Sequence, residues 1–149
     1  MPEGLTARSG GAGAGSAPVE SFLAFDFGLK RVGVAVGNTL LGRASALKTI
    51  AVQGPARFEA IGELLREWQP QALVVGVPYH PDGAPHENTR RAQRFGRQLQ
   101  ARFGLPVHEV DERYSTTEAL SQHADDADAA AAAIILDQFL RTLPHVAVA

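Results

Sequence analysis

The sequence predicts an α/β domain built on a mixed five-stranded sheet, in the order βββαβαβαα, with helices on both faces. Three observations predict it. Two short apolar runs near the N-terminus are joined by Gly28-Leu-Lys-Arg31, which fits a hairpin loop. Farther on, apolar runs alternate with stretches of helical periodicity, the mark of strand–helix units. One of those runs, Ala72 to Val77, has no polar alternation, as expected of a strand covered on both faces. The 149 residues suffice for one domain with one ordinary core.

The elements follow in order. Phe22–Phe27 and Val32–Val36 form the hairpin, and Ala44–Ile50, bounded by Gly42 and Gly54, adds a third antiparallel strand. Pro55 occupies a position where the first turn of a helix tolerates proline. Phe58, Ile61, Leu64, Leu65 and Trp68 then recur at helical spacing until Pro70. Ala72–Val77 is the fourth strand, ended by Pro78, and residues 79–85 form a polar loop. A second helix spans Glu87 to Phe103. Ala92, Phe95, Leu99 and Phe103 share its apolar face, and Arg90, Arg94 and Arg97 stack on the opposite one. Pro106–Val110 is a short strand, and Ser115-Thr-Thr-Glu118 has the spacing of a capping box that opens a short helix. The last helix runs from Asp126 to Leu143, rich in alanine and then carrying Ile135, Phe139 and Leu143. This topology is shared by ribonuclease H-like nucleases and by actin-type and sugar-kinase-type phosphotransferases, so fold alone does not choose a chemistry.

Composition removes several classes. With no cysteine there is no disulfide scaffold, thiolate zinc site or cysteine nucleophile. Fourteen Lys and Arg against 16 Asp and Glu leave a formal charge of -2, which argues against nucleic-acid binding by bulk charge. Residues 1–20 read as a flexible Gly/Ala-rich tail without a secretory signal, and residues 21–149 as the folded domain. No apolar run is long enough for a membrane span, so a soluble cytoplasmic protein with no membrane partner is expected.

Acidic residues stand where a cation could sit. Asp26 interrupts an apolar strand between two phenylalanines, where an ionised carboxylate is costly without positive charge beside it. Lys30 or Arg31 could supply that charge, and so could a divalent cation. Asp111 and Glu112 follow a strand end, where open α/β sheets place ligands, and in an extended chain only one of the two faces the site. Asp125, Asp126 and Asp128 open the last helix, where capping and the helix dipole offer another explanation. Together these positions supply carboxylates from a central strand, a later strand end and a helix start, as a two-metal phosphodiesterase requires. Arg90, Arg91, Arg94 and Arg97 read either as a solvated face or as a patch that tracks phosphates. The five histidines, at positions 80, 86, 108, 123 and 145, show no metal-ligand pair.

Four segments in order and spacing carry a resemblance: Leu23-Ala-Phe-Asp-Phe-Gly-Leu-Lys-Arg-Val-Gly-Val-Ala-Val36, Val74-Val-Gly-Val-Pro78 with Asp82-Gly83, Val110-Asp-Glu-Arg-Tyr-Ser-Thr116, and Asp128-Ala-Ala-Ala-Ala-Ala-Ile-Ile-Leu136. They resemble the bacterial YqgF-type family, also described as Holliday-junction-resolvase-like or as pre-16S rRNA nucleases, over residues 22–143. The resemblance implies a ribonuclease H-like fold and a metal-dependent endonuclease, using Mg²⁺ or Mn²⁺, that trims the 5′ end of the small-subunit rRNA precursor in the cytoplasm. Carried over residue by residue, it puts the catalytic and metal-binding carboxylates at Asp26, at Glu112 or Asp111, and at Asp128. It matches Arg113 and Thr116 to positions that either position the phosphate or order the site, and it places Lys30 and Arg31 beside that site. Asn38 stands where relatives often carry an acid. Precursor rRNA is the expected partner. Structured DNA, a nucleotide-dependent phosphotransferase and an idle RNA-binding module are the readings in competition.

Overall fold

A computed structural model describes residues 18–114 and 126–143. Five strands, β1 (Ser21–Asp26), β2 (Val32–Asn38), β3 (Ala44–Ile50), β4 (Ala72–Val77) and β5 (Val107–Asp111), form one sheet in the order β3-β2-β1-β4-β5. Strands β1, β4 and β5 are parallel, and β2 and β3 continue the sheet antiparallel to their neighbours. The helices are α1 (Pro55–Trp68), α2 (Glu87–Phe103) and α3 (Ala127–Arg141), and a 3-10 turn over Glu112–Tyr114 follows β5. The mixed five-stranded α/β fold is therefore the one expected. The short helix expected from Ser115 and most of the tail expected over 1–20 lie outside the described residues. Among those described, no helix is long and apolar enough to cross a membrane.

The strand at Val107 begins one residue later than its apolar pattern. Pro106 accepts from the Leu73 N–H at 2.8 Å but has no N–H of its own to give to the ladder. The last helix stops at Arg141, where the Thr142 hydroxyl donates to the Phe139 carbonyl at 2.7 Å.

Period-two alternation splits the apolar side chains between two cores. Leu23 and Phe25 face α1 and α2 together with Val34, Leu73 and Val75, and meet Ile61, Leu64, Phe95 and Leu99. Phe22, Ala24, Ala35 and Val74 face α3 and meet Ala132, Ile135, Leu136 and Phe139. Edge-to-face ring pairs mark both layers, Phe25 with Phe95 at 5.9 Å and Phe22 with Phe139 at 5.1 Å.

The α3 layer is thin because its residues are small. A methyl group added at Gly33 in β2 would lie 1.8 Å from the Asp128 carbonyl oxygen, so the first turn of α3 rests directly on sheet backbone. Ala129, Ala131 and Ala132, all buried, let the helix lie that close. By contrast, a methyl at Gly62 in α1 would meet Phe103 at 3.5 Å, an ordinary contact. Gly33→Ala is therefore expected to lower stability by about 3 kcal/mol, whereas Gly62→Ala should raise it by about 0.5–1 kcal/mol through helix propensity. Urea unfolding of the two variants checks the contrast, and equal effects would contradict the close approach.

Candidate active site

Asp26 ends β1 on the same face as Phe22 and Ala24, so strand alternation points its carboxylate to the α3 side. Asp128 lies in the first turn of α3, on the stripe that continues through Ala132, Ile135 and Phe139. Glu112 opens the 3-10 turn after β5. The three carboxylates line one open cavity of about 660 Å³ at the ends of the parallel strands, with Gly28, Lys30, Arg31, Pro78 and Asn88 among its other walls. Gly76 in β4 makes room for Glu112. A methyl there would sit 3.0 Å from its Oε2 and 2.4 Å from Ile135 Cδ1.

The electrostatics of the three acids differ. Neither Asp26 nor Glu112 has an ion-pair or hydrogen-bond partner among the described residues. Burial, reinforced by the Asp128 charge, pushes the Asp26 carboxyl up to about 6. Burial and the charges of Asp26 and Asp111 push Glu112 up to about 7. Asp128 instead accepts from Arg31 Nε at 2.8 Å. Arg31 thus pairs with the helix aspartate and leaves the strand aspartate alone. Lys30 lines the cavity and is exposed. Asp128 is bonded to Arg31, and no group of three metal-ligating side chains closes on a single point among the described residues.

Asp111 and Glu112 do face different ways. Asp111 is clamped by Arg113, whose Nη2 donates at 2.8 Å and whose backbone N–H donates at 2.9 Å, and this holds its carboxyl below the usual range. Arg113 also reaches the Pro81 carbonyl at 3.3 Å and lies over the Tyr79 ring, away from the carboxylate cavity. On α2, Arg90 and Arg97 are exposed outside that cavity, and Arg94 lines a neighbouring one. Thr116 and Asp125 lie outside the described residues. Asn38 pairs in register with Ser21, at the far end of β1 from Asp26, and its Oδ1 accepts from Leu41 N–H to close a turn. Asp126 stands at the N-cap of α3 but makes no cap bond, since its carboxylate accepts from the Thr49 hydroxyl.

Asn88 was not among the expected site residues. It enters the cavity because α2 begins there. The Thr89 hydroxyl, fully buried, donates to the Pro78 carbonyl and accepts from His86 N–H, while His86 Nδ1 accepts from Asn88 N–H at 3.1 Å. This capping box uses His and Thr rather than the Ser-x-x-Glu pattern, and its signal in the sequence is the threonine three residues after His86.

A family model described as "RuvX: Holliday junction resolvase" matches residues 20–142. A protein named "Putative pre-16S rRNA nuclease" from Polaromonas sp. is 67% identical over 129 residues, 87% of this chain and 94% of that protein. A protein of the same name from Albidiferax ferrireducens is 62% identical over 149 residues, covering 96% of each chain. Another from Burkholderia pseudomallei is 56% identical over 131 residues, 83% of this chain and 90% of its own length. Among solved structures, Thermus thermophilus RuvC in complex with a Holliday junction substrate superposes with a TM-score of 0.52 at 18% identity, over 83% of this chain and 94% of that one, which is a likeness of fold. Motif order, sheet topology and these matches agree, and the chain belongs to the RuvX family of Holliday junction resolvase-like proteins.

Proposed function

We propose that the chain is an endonuclease that hydrolyses phosphodiester bonds of precursor 16S rRNA in the cytoplasm, with Mg²⁺ or Mn²⁺ held by Asp26, Glu112 and Asp128. The observation that carries this reading is a pair of half-buried carboxylates without partners among the described residues, facing one cavity together with Asp128, Lys30 and Arg31. The names of the relatives support an RNA substrate, and the description of the family model keeps structured DNA as the second one to test.

The donor set fits a hard divalent cation. Its side-chain donors are carboxylate oxygens, two of them destabilised in their ionised form by burial and mutual repulsion. Such an ion would lower the pKa of an attacking water and offset charge on the leaving oxygen. Asp26 and Glu112 would hold it, with Asp128 as a third carboxylate if its bond to Arg31 opened. Lys30 and Arg31, in the β1–β2 loop, would face the phosphate, where a guanidinium can bind two of its oxygens. Asn88 Oδ1 already accepts from Arg91 Nη1 at 3.2 Å, which leaves its amide N–H groups as donors at the cavity wall. No side-chain nucleophile is required.

In Mn²⁺, cleavage of a precursor rRNA fragment should fall by more than about 100-fold in Asp26→Asn and Glu112→Gln, beyond what loss of an outer-shell partner costs. Arg31→Ala should raise KM more than it lowers kcat. A four-way DNA junction run in parallel measures the preference between substrates, and full activity in Asp26→Asn removes the proposed centre.

Stability gives a test without turnover. Both acids have a folded-state pKa above the ordinary value, so their burial costs nothing while they are protonated. The penalty grows as pH rises past about 4, and it is complete above about 6 for Asp26 and about 7 for Glu112. Asp111 acts in the opposite sense, its contribution being present above the ordinary carboxylate range and lost in acid. In EDTA, Tm should therefore decline from pH 5 to pH 8. Asp26→Asn should flatten that decline and melt several degrees higher at pH 8, since each kcal/mol is worth roughly 2–4 °C at this length. Mn²⁺ should raise the wild-type Tm and leave the variant's nearly unchanged. A variant that melts lower in EDTA at pH 8 would contradict the uncompensated pair.

A further inference from the structure

A second cavity, of about 300 Å³, adjoins the carboxylate cavity and shares Phe27 and Leu29 with it. Its floor is aromatic. The Phe27 ring lies 5.0 Å from that of Phe95, and the Phe58 ring lies 6.0 Å from Phe95 on the α1 side. Its polar wall consists of Arg57, Arg91, Arg94 and Gln98, and among the described residues no carboxylate lines it.

Arg57 is the most constrained of these side chains. It is only 6% exposed, and its Nε and Nη2 donate to the carbonyls of Val52 at 3.1 Å and Leu29 at 2.9 Å. Its third nitrogen has no partner among the described residues. Arg57 therefore holds Leu29, one of the two walls common to both cavities, and its guanidinium lies 5.7 Å from the centroid of the Phe27 ring. Arg91 lies 3.7 Å from the exposed Glu87 and donates to Asn88 Oδ1 at 3.2 Å, and Arg94 has no ion pair among the described residues.

A concave apolar floor ringed by guanidinium groups and one amide accepts a planar ring attached to an anion. Continuity with the carboxylate cavity supplies the occupant. We propose that this cavity is a subsite for one unstacked nucleotide next to the scissile phosphate, its base against Phe27 and Phe58 and its phosphate on Arg91 and Arg94. This rests on the nuclease reading and extends it to substrate class. A base enters such a cavity only after leaving its stack, so the enzyme selects a single-stranded or frayed segment beside the cut. Arg57 is a positioning residue in this arrangement.

The test is made in EDTA, where cleavage does not interfere. Single-stranded RNA and DNA oligonucleotides carry 2-aminopurine at successive positions, and the same strands are also presented as duplexes. One position should change its fluorescence on binding in single strands and stay silent in the duplexes. The double variant Arg91→Ala/Arg94→Ala should weaken binding roughly 10-fold or more. Phe27→Leu, which keeps an apolar side chain but removes the ring, should lose the fluorescence change while melting near the wild type. Silence at every position, equal binding of duplexes, or variants that bind like the wild type would overturn the subsite. If the wild type cleaves RNA in Mn²⁺ while every position stays silent, only the subsite falls. If the base signal is present and sensitive to the variants but no divalent ion supports cleavage, the nuclease reading falls and the nucleotide site stands.

Discussion

The close approach of α3 to the sheet is the contact on which the site depends. Backbone meets backbone at Gly33, and no side chain fits between them. Protein interiors do not deform continuously, so a contact of this kind sets the height of the helix above the strands. That height brings Asp128 over the end of β1, where Asp26 lies. Gly76 acts similarly one strand away, leaving open the volume that Glu112 and Ile135 share. The three acids come from distant parts of the chain, and two glycines in the sheet determine whether they face one space.

The same packing explains why the site is electrostatically costly. Asp26 and Glu112 are half-buried against apolar layers that remove part of the solvent which would otherwise stabilise their charge. Only Asp128, at the rim, finds a protein cation. Natural domains keep such uncompensated groups where function requires them and offset the loss elsewhere, here through two well-packed cores and a sheet that pairs every strand.

Much of this was legible in the sequence. The spans of β1, α1 and α2 followed from periodicity, because each shows an apolar face to a core, and β4 was legible as a continuous apolar run. Asp26 was legible because a carboxylate amid phenylalanines needs an explanation. What could not be read are pairings across long sequence separations. Arg31 was a plausible partner for Asp26 five residues away, yet it bonds Asp128, 97 positions distant. That Arg113 clamps Asp111 while Glu112 lines the cavity is likewise not encoded in their adjacent positions. A glycine inside a strand signals close approach, but Gly33 does not say what approaches. Asn88 and the arginine-walled cavity depend on how α1, α2 and the β1–β2 loop meet, and no local pattern encodes that meeting.

The Arg31–Asp128 bridge has a consequence for charge balance. Among the described residues the cavity carries three carboxylates against Lys30 and Arg31, one negative charge in excess when all are ionised. A single divalent cation arriving with one phosphodiester anion adds one positive charge and brings the cavity to neutrality. If the bridge opened on such binding, each of its charged ends would gain a new partner of opposite sign. Ion and substrate would then be electrostatically interdependent, since either one alone would leave the pocket unbalanced.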